Sequence, residues 1–93
     1  MTAALPKPER HRVPKYLKWV RTQPCCICLG LGIHAHHLST RGAGGSDYTA
    51  VPLCFKHHHE IHILGDRTFG DHYAVNLWEI AHGLVVKWFT ERG

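Results

Sequence analysis

The sequence predicts a small α+β domain held together by a bound metal, and three observations carry that expectation. The segments "IHAHHL" (33–38) and "YTAVPL" (48–53) read as short strands, and the stretches 54–64 and 72–90 read as helices. Cys25 and Cys28 form a C-x-x-C pair. In "LCFKHHHEIH" (53–62) four histidines then crowd close behind Cys54. Packing alone does not ask for so many imidazoles, which are costly to bury unless their nitrogens find partners. A chain of 93 residues buries a modest core, so a metal cross-link would help it hold together.

The elements follow in order. Residues 1–13 are a Pro- and Arg-rich basic arm, expected to be flexible, and 14–93 form a single domain. In "PKYLKWVRT" (14–22), Tyr16, Leu17 and Val20 share a helical face with Trp19 at its margin. Pro14 suits a first turn and Pro24 ends the helix. "CCICLGLG" is a tight cysteine turn, and "STRGAGGSD" (39–47) is a flexible connection between the strands. The metal-bearing helix runs from about Cys54 to Leu64 and stops at Gly65-Asp66. After a turn around "GDRTFGD", Asp71 is the expected N-cap of a C-terminal helix, 72–90. Its stripe of Leu77, Ala81, Leu84, Val85 and Trp88 is core packing.

Charge is unevenly placed. Through Thr22 the chain carries six basic residues against Glu9, a balance of +5, and the remainder carries five basic against six acidic, a balance of −1. A basic arm ahead of a near-neutral body suits a polyanion such as DNA, although a solvated tail gives the same pattern. The composition, 44% hydrophobic and 19% charged, holds no transmembrane run, so no membrane association is expected. The start "MTAALPKPERHRVPK" has three prolines and few apolar residues, unlike a signal peptide. A cytoplasmic location follows as the expectation, with the four cysteines serving as thiolates rather than disulfides.

C-x-x-C spacing lets two thiolates of one turn grip one tetrahedral ion. Cys54 and His57, one helical turn apart, supply a second pair on one face. Cys25, Cys28, Cys54 and His57 together make a closed Cys3His set, as structural zinc prefers. Cys26 is the spare; C-x-C is the less usual bite. A redox role for the pair lacks the βαβ setting that thioredoxin-like motifs have.

His58 and His62 remain on the helix at i and i+4, one above the other, while His59 lies about 100° further round. Two histidines leave a site incomplete, and "HAHH" is the obvious source of a third ligand. Adjacent strand residues point to opposite faces. One of His36 and His37 can therefore bind the ion while the other works as a base, since neutral imidazole suits proton abstraction from water. A satisfied structural histidine is the plainer alternative for each.

The pattern C-x2-C, HAHHL, GAGG-x-D and VPLC-x2-HHHEIH resembles the HNH group of ββα-metal (His-Me finger) nucleases. Within it the sequence looks most like small phage and prophage nucleases of the recombination-enhancement (Ref) type. The likeness covers roughly residues 15–65. It implies a zinc-stapled ββα-metal core over about 23–65, flanked by N- and C-terminal helices. It also implies His37 as general base, and His36, His58 and His62 as ligands of a catalytic divalent ion such as Mg2+, Mn2+, Ni2+ or Zn2+. The family's usual asparagine on the second strand falls at Thr49 here, so either Asp47 or Thr49 orients the base instead or the base is poorly oriented.

The resulting expectation is a DNA endonuclease of phage or prophage origin in a bacterial cell, linked to recombination and able to work with a recombinase filament. Lys15, Lys18 and Arg21 are candidate phosphate contacts, with Arg41 in the glycine-rich loop as another. Glu60 is expected as an exposed helix residue, with a hydrogen bond to a ligand imidazole as the alternative. A zinc-stapled module that binds nucleic acid without cutting it, and a protein-interaction domain, are the rival classes. Oligomeric state is not legible.

Overall fold

A computed structural model describes residues 12–38 and 46–91. Its order is α1 (Pro14–Val20), β1 (Ile33–His37), a 3-10 turn (Asp47–Thr49), β2 (Ala50–Cys54), α2 (Phe55–Leu64), α3 (Asp66–Tyr73) and α4 (Leu77–Glu91). Among the described residues the fold is therefore α+β, with four α-helices around one two-stranded sheet. No helix of the described residues is long and apolar enough to cross a membrane.

The strands pair antiparallel, with His36 opposite Val51 and His37 opposite Ala50. Because side chains alternate along a strand, one sheet face carries His34, His36, Val51 and Leu53, and the other carries Ala35, His37, Ala50 and Pro52. Pro52 has no N–H to give a ladder, but its carbonyl accepts the Cys26 N–H at 3.0 Å, which docks the cysteine turn on β2. Ala50 through Leu53 are all buried, since β2 is covered by α1, α2 and α4.

Two apolar clusters hold these layers. Cys25, Leu38, Val51, Leu53, Ile61, Phe69, Leu77 and Ala81 form the main one, joining the sheet to α2, α3 and α4. Tyr16, Val20 and Trp88 form the second, with Trp19, Ala35, Tyr48 and Val85 packed against it. There α1 meets α4 through tilted and edge-on rings, Tyr16 to Trp88 at 5.5 Å and Trp19 to Trp88 at 5.4 Å between centroids.

The segment after α2 departs from the sequence reading. Residues 66–73, expected as a turn, are helical, and Asp71 lies inside that helix instead of capping the next. Gly65 already supplies the break. At φ 84° it ends α2 by donating to the Ile61 carbonyl, and its own carbonyl then accepts the Phe69 N–H to open α3. Buried Phe69 anchors the new helix, which closes at Ala74 in the left-handed region. Asn76 is the residue that caps α4, its Oδ1 accepting the Glu79 N–H at 3.1 Å. Residues 48 and 49 likewise lie in the 3-10 turn and not in a strand.

Candidate metal centre

The cysteine turn is built for close approach. Its chain closes through the Cys25 N–H to the Gly30 carbonyl at 3.0 Å and the Leu29 N–H to the Cys25 carbonyl at 2.9 Å. A Cβ at residue 30 would lie 3.1 Å from the Cys28 sulfur, so glycine lets the thiolate sit against the backbone. On the facing side, β2 runs directly into α2, placing Cys54 at the junction and His57 one turn on.

The four groups Cys25, Cys28, Cys54 and His57 converge, with one ligand atom from each within 4.8 Å of all the others. Their separations test the fit of a tetrahedral ion. Bond lengths of about 2.3 Å to sulfur and 2.0–2.1 Å to nitrogen give edges of roughly 3.8 Å for S···S and 3.6 Å for S···N. The observed values are 3.8 Å for Cys28 Sγ to Cys54 Sγ, 3.6 Å for Cys25 Sγ to His57 Nδ1, and 3.2 Å for Cys54 Sγ to His57 Nδ1. All four described cysteines are free thiols. The set can hold a metal such as zinc, and its four donors would leave no open position.

The thiols of the turn shift in different directions. Burial pushes the Cys25 thiol up, but hydrogen bonds with its surroundings, backbone N–H groups foremost, outweigh burial and bring it down to about 6. Cys26 is pushed up to about 12, by burial first and by the neighbouring Cys25 next. The Cys28 thiol, a member of the set, is also raised: a hydrogen bond with the Gly30 backbone lowers it, but burial and the neighbouring Cys54 and Cys25 sulfurs outweigh that bond.

On the next face of α2, His58, directly after His57, and His62 one turn later meet His36 of β1, and these three also have ligand atoms within 4.8 Å of one another. His58 Nε2 lies 3.1 Å from His62 Nε2, between the tetrahedral and octahedral edges of roughly 3.4 and 2.9 Å that Zn–N bond lengths give. Burial, followed by the neighbouring His36, His62 and His34, lowers the His58 pKa and so favours the neutral, lone-pair-bearing imidazole. His59 points away and is exposed.

His37, on the other sheet face, turns to Asp47. Its Nε2 donates to Asp47 Oδ1 at 2.8 Å, and the second carboxylate oxygen accepts the Val13 N–H at 2.6 Å. The carboxylate is 3% exposed and the imidazole 34%. Burial pushes the Asp47 carboxyl up, but the hydrogen bonds from His37 and Val13 prevail and hold it below the ordinary value. Thr49 takes no part, since its hydroxyl donates to the Ser46 carbonyl at 2.7 Å. Of the two candidates to brace His37, the geometry brings Asp47 alone into contact.

A cleft of about 590 Å³ unites these groups, lined among others by His36, His37, His58, His62, Asp66 and Arg67. Three of its neighbouring or lining residues escaped the sequence reading. His34 Nδ1 lies 3.0 Å from His58 Nδ1, and Asp66 Oδ1 lies 2.9 Å from His36 Nε2. Arg67 is exposed at the cleft wall. The i, i+2 spacing of His34 and His36 was a visible signal for the first; a helical reading of 66–73 was needed for the other two. Glu60 is half-buried rather than exposed, and it accepts the Tyr73 hydroxyl instead of bracing a ligand. Lys15, Lys18 and Arg21 are exposed on and just after α1, whereas Arg41 lies outside the described residues.

The fold and site define a small α+β protein with a Cys3His cluster able to hold a metal, beside a histidine-lined cleft. The chain belongs to the DUF968 family, described as "Protein of unknown function (DUF968)", whose model matches residues 1–90. It is also 44% identical over 63 residues to "Uncharacterized protein YdfU" of Escherichia coli strain K12. That match covers 62% of this chain but spans only 18% of the relative's length. No solved structure matches the chain.

Proposed function

We propose that the protein is a divalent-metal-dependent endonuclease of the HNH, ββα-metal type that hydrolyses DNA phosphodiesters. The observation that carries this reading is the convergence on one cleft of two different devices, a carboxylate-braced imidazole and a cluster of three metal-competent histidines. The β1–β2–α2 order, with the Cys3His set closing the sheet against the helix, supports an HNH core.

The chemistry follows from the hydrogen bonds. The Asp47 carboxylate only accepts, so the proton of His37 resides on Nε2 and the lone pair on Nδ1. His37 Nδ1 takes a proton from water as the water oxygen bonds to phosphorus and the bond to the 3′-oxygen breaks, leaving a 5′-phosphate and a 3′-oxyanion that takes a proton from solvent water to become the 3′-hydroxyl. His36, His58 and His62 would hold a divalent ion, which would supply positive charge to stabilise the leaving oxygen. Asp47 keeps the imidazole in the useful tautomer and stabilises the imidazolium that forms. Zinc held by the Cys3His set would be structural and would stand outside the chemistry.

Backbone contact along DNA falls to the basic segment. Val13, bonded to Asp47, begins the step into α1, so Arg12 precedes this contact on the arm side while Lys15, Lys18 and Arg21 follow it along and just after α1. Contacts of this kind position phosphates without reading sequence. A phage origin, a role in recombination and cooperation with a recombinase filament complete the proposal and rest on the family resemblance.

The test is cleavage of linear duplex and single-stranded DNA with Mg2+, Mn2+ or Ni2+, comparing the wild type with His37→Ala. Cutting that disappears in a folded, zinc-retaining His37→Ala protein supports the reading. A wild type that binds DNA but cuts neither form with any of the ions would favour the non-cutting nucleic-acid-binding module.

A further inference from the structure

The contact between His36 and Asp66 joins the ββα segment to a helix outside it. We propose that Asp66 is a positioning residue of the histidine metal centre, fixing the ring and tautomer of His36 so that Nδ1 faces the ion. This deepens the reading of His36, His58 and His62 as an open divalent site and rests on it.

Three features point the same way. His36 is buried, 8% exposed, so its ring nitrogens must find protein partners or a ligand, and Asp66 Oδ1 at 2.9 Å from Nε2 supplies one. A carboxylate cannot donate, so Nε2 holds the proton and Nδ1 keeps the lone pair an ion requires. The three imidazoles are neutral when they ligate, and Asp66 sets a negative charge directly behind one of them. A metal-bound histidine whose second nitrogen donates to a carboxylate is held in orientation and made a better donor. Gly65 makes the approach possible: its φ of 84° turns the chain sharply after α2, so that α3 begins at Asp66 on the cleft wall.

The experiment uses the full chain loaded with zinc at the Cys3His set and titrated calorimetrically with Mn2+ and, separately, Ni2+. The wild type should bind one further ion. Asp66→Ala should weaken that binding about 10- to 100-fold, and the isosteric Asp66→Asn should fall between. Both should keep one zinc per chain and an unchanged far-ultraviolet spectrum. The 15N shifts of the His36 ring should report the Nε2–H tautomer in the ion-free wild type and a mixture in Asp66→Ala, a change that a role confined to starting α3 would not produce. Asp66→Ser, which preserves a good helix start without reaching His36, should lose affinity as Asp66→Ala does. Wild-type binding of a second ion with affinity unchanged within twofold in the Asp66 variants would overturn the assignment while leaving the open site standing. A wild type that binds no second ion would overturn both.

Discussion

Asparagine at position 47 tests the proposed base, His37, at its support. Both groups facing the Asp47 carboxylate are donors, the His37 Nε2–H at 2.8 Å and the Val13 N–H at 2.6 Å. An asparagine offers one acceptor and one donor, so Asp47→Asn can satisfy only one of them. If the amide oxygen keeps Val13, its NH2 faces His37 and favours the Nδ1–H tautomer, which has no lone pair for water. Losing a charge-assisted hydrogen bond in a buried setting costs roughly 2–3 kcal/mol, about 10–20 °C in Tm for a domain of this size. A base held in the wrong tautomer lowers kcat by about 10⁴ where such a dyad has been dissected.

The pH dependence has a definite sign. The folded-state pKa of Asp47 is depressed, so its contribution is present above the unfolded carboxylate value and is lost as pH falls through the folded one. Urea unfolding of wild type and Asp47→Asn should therefore differ at pH 7, and the gap should narrow as pH falls below about 4. Zinc release in acid acts on both proteins and drops out of the difference. Equal stability at pH 7, or cleavage by Asp47→Asn at more than a tenth of the wild-type rate, would refute the bracing role.

Other outcomes follow from the same contacts. Chelation of the Cys3His metal should unfold the chain, because structural zinc contributes about 10–16 kcal/mol in small domains against a total stability of about 5–15 kcal/mol; circular dichroism during chelator titration checks this, and Cys26→Ser should retain its zinc while Cys54→Ser does not. The Tyr16 hydroxyl is buried with no hydrogen-bond partner among the described residues, and burial raises its pKa to about 12. Tyr16→Phe should therefore be neutral or stabilising by up to about 1 kcal/mol, as read by urea unfolding. If α1 tracks phosphates, alanine at Lys15, Lys18 and Arg21 together should reduce the salt slope of DNA affinity by up to about 3, measured by fluorescence anisotropy.

Much of this arrangement was legible because local spacing fixes it. C-x-x-C and Cys54-x-x-His57 each place two donors on one turn whatever the tertiary fold, and the strand period alone turns His36 and His37 apart. What escaped depends on contacts between elements. His34 reaches His58 only because β1 lies against α2, and strand alternation cannot specify which helix residue it meets. Asp66 was hidden by the glycines of "GDRTFGD", which suggest a loop although Gly65 alone makes the break and Phe69 draws the rest into a helix. The choice between Asp47 and Thr49 turned on side-chain direction, settled by the 3-10 turn that buries the carboxylate.

The central claim, that the histidine cluster serves DNA hydrolysis, is met most directly by following cleavage and ion binding together. Zinc-loaded protein is titrated with Mn2+ while DNA cutting and occupancy of the second site are read in parallel. The account predicts no cutting without added ion, a rate that rises with the same midpoint as occupancy, and loss of both in His62→Ala. Full occupancy with no cleavage, or cleavage that is indifferent to the ion and to His62, would contradict it.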